Sequence, residues 1–304
     1  MKVLAKGLAF PEGPVVMPDG SVVVVELAGG QLRRIGLDGG TSVVAQTAGC
    51  PNGAQLGPGG KLYVCNQGDL IWRQKDGEYR AMAGRAPGYD GGWIEVVDPG
   101  SGKVERLYDR CGAHKLQAPN DIVFDAHGGF WFTDHGKADE RQQWKGGLYW
   151  AKADGSEIRE AVYGLVTPNG IGLSPDGKTL YTVETHTARL WSWEVTAPGE
   201  VRKLRGVNAH GGHFLAGSAN LQRFDSLAVS ASGKVCVATL LNGGITEFWP
   251  DGSHSKHYPL PDAHVTNIAF GGPDMKTAYI TLSGAGELVA LDWHEPGLKL
   301  QYQR

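Results

Sequence analysis

Apolar and polar residues alternate along this chain in short runs of four or five, and a turn dipeptide cuts each run off before a helical period can establish itself. The runs are rich in Val, Ile, Tyr, Phe and Trp, the breaks in Gly, Pro, Asp and Asn. That is the pattern of half-buried strands joined by tight turns. The 46 glycines fall in those breaks rather than in one linker, so the chain reads as all-β.

One segment recurs in six copies: EGPVVMPDGSVVVVE from Glu12, NGAQLGPGGKLYVC from Asn52, NDIVFDAHGGFWFTD from Asn120, NGIGLSPDGKTLYTVE from Asn169, DSLAVSASGKVCVAT from Asp225 and TNIAFGGPDMKTAYIT from Thr266. Each copy reads as a hairpin that opens on a polar residue and turns at a motif such as PDG. A second hairpin follows in nearly every case, for example GGQLRRIGLDGGTSVVA and GGLYWAKADGSEIREAV. Six copies in 304 residues give one per ~51 residues, close to the ~40 to 50 of a four-stranded propeller blade. The expectation is a six-bladed β-propeller, four antiparallel strands per blade, as a single domain over 1–304. A β-sandwich is the competing all-β solution, but it has no need of similarly ordered copies.

Strand direction then places the chemistry. If each opening residue starts a strand, the PDG turn lies at the far face, and the end of the second strand returns to the face of the opener. In a propeller these inner strands surround the axis, so Glu12, Asn52, Asn120, Asn169, Asp225 and Thr266 converge. All are oxygen donors. Two carboxylates among amides form the ligand set of a hard divalent cation, Ca2+ first, with Mg2+ or Mn2+ as alternatives. Asn52, in a Pro-Asn-Gly stretch, also reads as a simple turn former.

Composition narrows the partners. A net charge of −3 and the lack of any lysine or arginine run give no reason to expect nucleic acid or an anionic membrane, and favour a small-molecule substrate. The four cysteines, Cys50, Cys65, Cys111 and Cys236, lack CxxC spacing and read as mostly buried thiols of a cytoplasmic protein. The first residues lack the long apolar stretch of a secretory signal. A monomer or small homo-oligomer is expected.

The motifs PEGP at Pro11, APNDIVFD at Ala118, FTD at Phe132, TPNGIGLSPDGKTLY at Thr167, DSLAV at Asp225 and TNIAFGG at Thr266 together resemble the gluconolactonase family, which includes regucalcin and is related to diisopropylfluorophosphatase-like hydrolases. The resemblance runs over essentially the whole chain. It implies a propeller with one catalytic divalent cation at the channel mouth, held by counterparts of Glu12, Asn169 and Asp225, with Asp225 also the acid/base. Asn120 matches an asparagine that contacts metal or substrate, and Asp121 is expected to orient its amide. Zn2+ joins the admissible ions. The implied reaction is hydrolysis of a lactone whose carbonyl the cation polarises. Hydrolysis of a phosphotriester or enol ester, or a non-catalytic calcium-binding propeller, are the alternatives.

This chain departs from its relatives in places. Ala118 stands where sugar-lactone hydrolases of the regucalcin type carry an arginine. His135 and His186 follow second strands and are expected beside the site as substrate-binding residues with Asn52 and Asn120. Two long connections, from Asn66 and from Arg205, fall on the same face and read as lids. Trp72, Tyr89, Trp93 and Trp144 would wall an apolar pocket under the first of them, while Trp131, Trp191, Trp193 and Trp249 read as blade core.

Overall fold

Pro11–Val16, Val22–Glu26, Gln31–Ile35 and Thr41–Gln46 form one twisted antiparallel sheet, and this arrangement recurs six times in the computed structural model, which describes every residue except Ala83, Val207 and Arg304. Blade two runs from Pro51–Leu56 outward to Val104–Tyr108, and blade three from Pro119–Phe124 to Ile158–Leu165. Blade four starts at Pro168–Leu173, blade five at Arg223–Val229 and blade six at Val265–Gly271. Each of the six repeated segments is therefore the inner hairpin of a blade, as the sequence pattern predicts.

The cores lie between blades rather than inside them. Tyr63, Phe124 and Phe130 join blades two and three; Trp131, Trp150 and Trp191 join three and four; Val23, Leu32 and Leu62 join one and two. Equivalent clusters fill the remaining junctions. Burial of each such side chain stabilises by ~1.5–3 kcal/mol, so a blade gains its core only from its neighbours. Successive inner strands pack side by side right round the axis, the last against the first. The ring is sealed by the N-terminal strand Lys2–Ala5, which pairs with Glu287–Asp292 as the outer strand of blade six.

The feature that positions the site is a bulge. In all six inner strands the register with the second strand shifts at the opening residue. Pro119 faces Asp134 while Ile122 faces Phe132, which leaves one extra residue on the inner strand. Such an insertion bends the strand and re-aims its side chain, here toward the axis. The next residue then meets the neighbouring blade. A Cβ on Gly53 would lie 2.5 Å from the Asn120 carbonyl oxygen, and one on Gly170 2.5 Å from the Leu227 nitrogen. In blades one, two and four the glycine after the opener is thus required by close backbone approach, whereas Asp121, Ser226 and Asn267 hold that place in the other three.

Two expectations need correction. The connection from Arg205 is not a lid: His213–Gly217 pairs with Arg189–Ala197 as an outer strand of blade four. Trp249 is only half-buried, beneath the Lys234 ammonium, whereas Trp131, Trp191 and Trp193 are core. Among the described residues no helix is long and apolar enough to cross a membrane.

Candidate metal centre

The bulges bring Glu12, Asn52, Asn120, Asn169 and Asp225 to one end of the channel, each between 2% and 8% exposed. Asn169 Nδ2 donates to Asp225 Oδ1 at 2.6 Å and to Thr185 Oγ1 at 3.1 Å, and Asn169 Oδ1 accepts from Ser226 Oγ at 3.4 Å. Glu12 Oε2 accepts from the Gly13 amide at 3.0 Å and from Asn267 Nδ2 at 2.9 Å. Residues far apart in sequence thus share one polar cluster.

Its charge is uncompensated by protein. Burial raises the Glu12 carboxyl from 4.5 to about 7 against the pull of Asn267 and Gly13, and raises Asp121 to about 7 with a further push from Glu12. Asp225 is driven well above the ordinary carboxylate range by burial, then by Glu12 and Asp121. No lysine or arginine pairs with any of these acids among the described residues. Asn52 Oδ1 and Asn120 Oδ1 are also buried without hydrogen-bond partners among the described residues. An unpaired buried carboxylate is costly. Negative charge and orphaned oxygens around one point fit a hard cation, so the residues present suit the ion that the sequence suggests.

Two sequence-predicted residues behave otherwise than expected. Asp121 does not orient the Asn120 amide: its Oδ1 accepts from the Ile122 amide at 2.9 Å, and the residue lines the cavity deeper in the channel. The reason is that the bulge turns consecutive residues in different directions. Thr266 contributes no free oxygen, because its hydroxyl is taken up by Thr281, Ser283 and the Pro11 carbonyl. His135 and His186 do flank the openers. The His135 amide bonds the Ala118 carbonyl at 2.9 Å, the His186 amide bonds Thr167 Oγ1 at 3.0 Å, and the two rings lie 6.3 Å apart. Burial pushes His135 down to about 3, so its ring is neutral at physiological pH. Sequence reasoning missed Asn267, Ser226 and Thr185, which sit one residue past an opener or past a second strand; that offset is the signal that would have found them.

The connection from Asn66, expected as a lid, packs against residues beside the openers. Its hairpin, Ile71–Lys75 with Glu78–Met82, sets Trp72 against Phe10 at 5.4 Å. Arg85 lies 3.7 Å over the Trp144 ring, tying the lid to the loop after Asp134. Trp93 does not join the pocket wall: its Nε1 donates to Glu95 at 2.7 Å under the Arg106 guanidinium. A cavity of about 260 Å³ occupies the opposite half of the channel, lined by Ile171, Leu227 and Ile268 and by Leu298–Gln301; it meets the polar cluster from below at Asp121 and Asn267. Glu247, His294 and Glu295 also bring ligand atoms together, within 4.8 Å. Lys234 Nζ stands 3.2 Å from Glu295 and 3.6 Å from Glu247, so a lysine already fills the place of a cation.

A six-bladed ring with acids and amides gathered at one mouth of its channel is the class of protein defined by this fold and site. The chain belongs to the SMP-30/Gluconolactonase/LRE-like family, whose model matches residues 10–284. It is 25% identical over 277 residues to the gluconolactonase of Zymomonas mobilis, covering 83% of this chain and 70% of that protein. It is 27% identical over 192 residues to lactonase drp35 of Staphylococcus saprophyticus, covering 62% of this chain and only 52% of that protein. A gluconolactonase from Xanthomonas campestris has the same fold, with a TM-score of 0.74 at 22% identity, covering 95% of this chain and 88% of that one.

Proposed function

We propose that this protein is a metal-assisted hydrolase of cyclic esters, a lactonase, acting at the opener end of the channel. The observation that carries this reading is that Glu12 and Asp225 are buried near each other with no protein cation among the described residues, beside the orphaned Asn120 and Asn52 oxygens. The lactonase activities named for its staphylococcal and Zymomonas relatives support it.

Glu12, Asn120, Asn169 and Asp225 would hold the ion, for which Ca2+ fits the all-oxygen set best. When bound, a divalent cation would polarise the lactone carbonyl and lower the pKa of a bound water, calcium mainly the former. Asp225 takes the proton as the water oxygen adds to the carbonyl carbon. The ring C–O bond then breaks, and the departing alkoxide takes that proton to give the open hydroxy acid. The Asn169 N–H fixes the Asp225 oxygen, and Asn267 and Gly13 fix Glu12. Neutral His135 and His186 offer hydrogen bonds to substrate oxygens rather than a proton source, and Asn52 Oδ1 accepts from a substrate hydroxyl. Free, mainly buried thiols accord with a cytoplasmic setting.

The test is to strip the protein with chelator, restore Ca2+, Mg2+, Mn2+ or Zn2+ singly, and assay a panel of lactones alongside a phosphotriester and an enol ester. Loss and metal-dependent recovery of lactone hydrolysis is expected. Metal binding without turnover of any cyclic ester would overturn the assignment.

A further inference from the structure

Beside the channel mouth lies a charged group that the proposed chemistry leaves idle. Lys137 is only 6% exposed, and its ammonium has no hydrogen-bond partner among the described residues. Lysine normally keeps its head in water, and a buried ammonium forgoes three donor bonds. The nearby acceptor is occupied: Asp134 Oδ1 accepts from the Ala118 and Gly136 amides at 2.8 and 3.0 Å, and Oδ2 from the Gln117 amide at 2.6 Å. Burial pushes the ammonium down to about 8; Asp134 and Asp69 oppose that through space, but Asp134 supplies no bond.

The location is informative. Cys50 directly precedes Pro51 and Asn52, and Asp134 pairs with Pro119, which precedes Asn120. The ammonium therefore sits at the seam of blades two and three, on the side from which the orphaned Asn52 and Asn120 oxygens open their strands. Tyr89 of the lid lies over it, with Lys137 Nζ 4.9 Å from the ring centroid, and Arg85 approaches the same ring at 5.8 Å. Resting on the lactonase reading, we infer that Lys137 is the floor of a subsite for an anionic substituent, so that the substrate is a lactone bearing a carboxylate. A carboxylate is favoured over a phosphate because a second negative charge would be brought toward Asp134, Glu12 and Asp225. The amide oxygens of Asn52 and Asn120 would then meet hydroxyls of the same molecule.

A γ-butyrolactone carrying a carboxylate beside its ring oxygen, and the matching primary carboxamide, separate charge from shape. Wild-type metal-loaded protein should favour the acid by ~10-fold or more in kcat/KM, mainly through KM, as expected for a charged hydrogen bond. In Lys137→Met and Lys137→Gln, each checked for native circular dichroism, that ratio should collapse toward unity. Equal use of acid and carboxamide by wild type, which needs no variant, overturns the inference, as does a ratio that survives both substitutions. Calorimetric binding of the ring-opened hydroxy dicarboxylate is the second readout. If neither lactone turns over but the dicarboxylate binds wild type and loses ~10-fold in the variants, the subsite stands and the lactonase reading fails. If it binds both alike, or neither, the subsite is refuted.

Discussion

Glu12 and Asp225 are buried with no protein cation beside them among the described residues, and this makes two residue-level predictions. Asp225→Asn removes the proposed base and should lower kcat/KM by ~100-fold or more. The same change relieves repulsion with Glu12, so the melting temperature of the chelator-treated variant should equal or exceed that of wild type. Retention of lactonase activity with metal bound would refute the base assignment. The second prediction concerns pH. Folded Glu12 titrates near 7 and its unfolded counterpart at 4.5, so between those values the metal-free native state holds more protons than the unfolded state. Its contribution to stability is complete below pH 4.5 and is lost as the pH rises through about 7, on the order of 3 kcal/mol. Thermal melts of metal-free protein should therefore fall over that window, and saturating Ca2+ should flatten the curve. The openers were legible because the chain writes the same position six times. Lys137 and Asn267 were not: Lys137 lies outside the repeated phrase, and Asn267, although inside it, sits one residue past the opener and gains its role only by reaching Glu12 across the seam.

The inner-strand bulge is the element that converts a repeated sequence into a site. Without the extra residue, Asn120 would continue the ladder instead of facing the axis. Gly53→Ala tests the packing behind it, since the new methyl carbon would lie 2.5 Å from the Asn120 oxygen. A loss of ~1–3 kcal/mol in denaturant unfolding is expected, as for overpacking, together with weaker metal binding by calorimetry. The lid is a second element with its own behaviour. Trp144→Ala removes the ring under Arg85, a contact worth ~0.5–2 kcal/mol. Hydrogen exchange should quicken across residues 68–92 while the blade strands stay protected. Alternation and turn chemistry predicted the hairpins themselves. They did not reveal that the connection from Arg205 supplies an outer strand, because His213–Gly217 carries a mixed polar and apolar pattern that becomes strand only against Arg189–Ala197. Nor did they reveal the bulges, which are a property of pairing and invisible in one strand alone.

At the scale of the whole molecule, stability resides in the junctions, so damage to one should be felt by all. Removing residues 1–6 takes away the partner of Glu287–Asp292 and should lower the melting temperature in a single cooperative transition, read by calorimetry. Two separate transitions would mean that the blades melt independently. The repeat count and the predicted all-β ring were legible from sequence because period and turn residues impose them. The closing strand was not, because KVLA carries no repeat signature.

That strand has a further consequence. Residues 2–5 must wait for residues 287–292, made more than 280 residues later, since their hydrogen-bonding edge belongs to that strand. Across the same seam Asn267 reaches Glu12. A nascent chain therefore cannot assemble the polar cluster around Glu12 until the sixth blade has been made, and maturation of the proposed centre becomes a report that the circle has been joined.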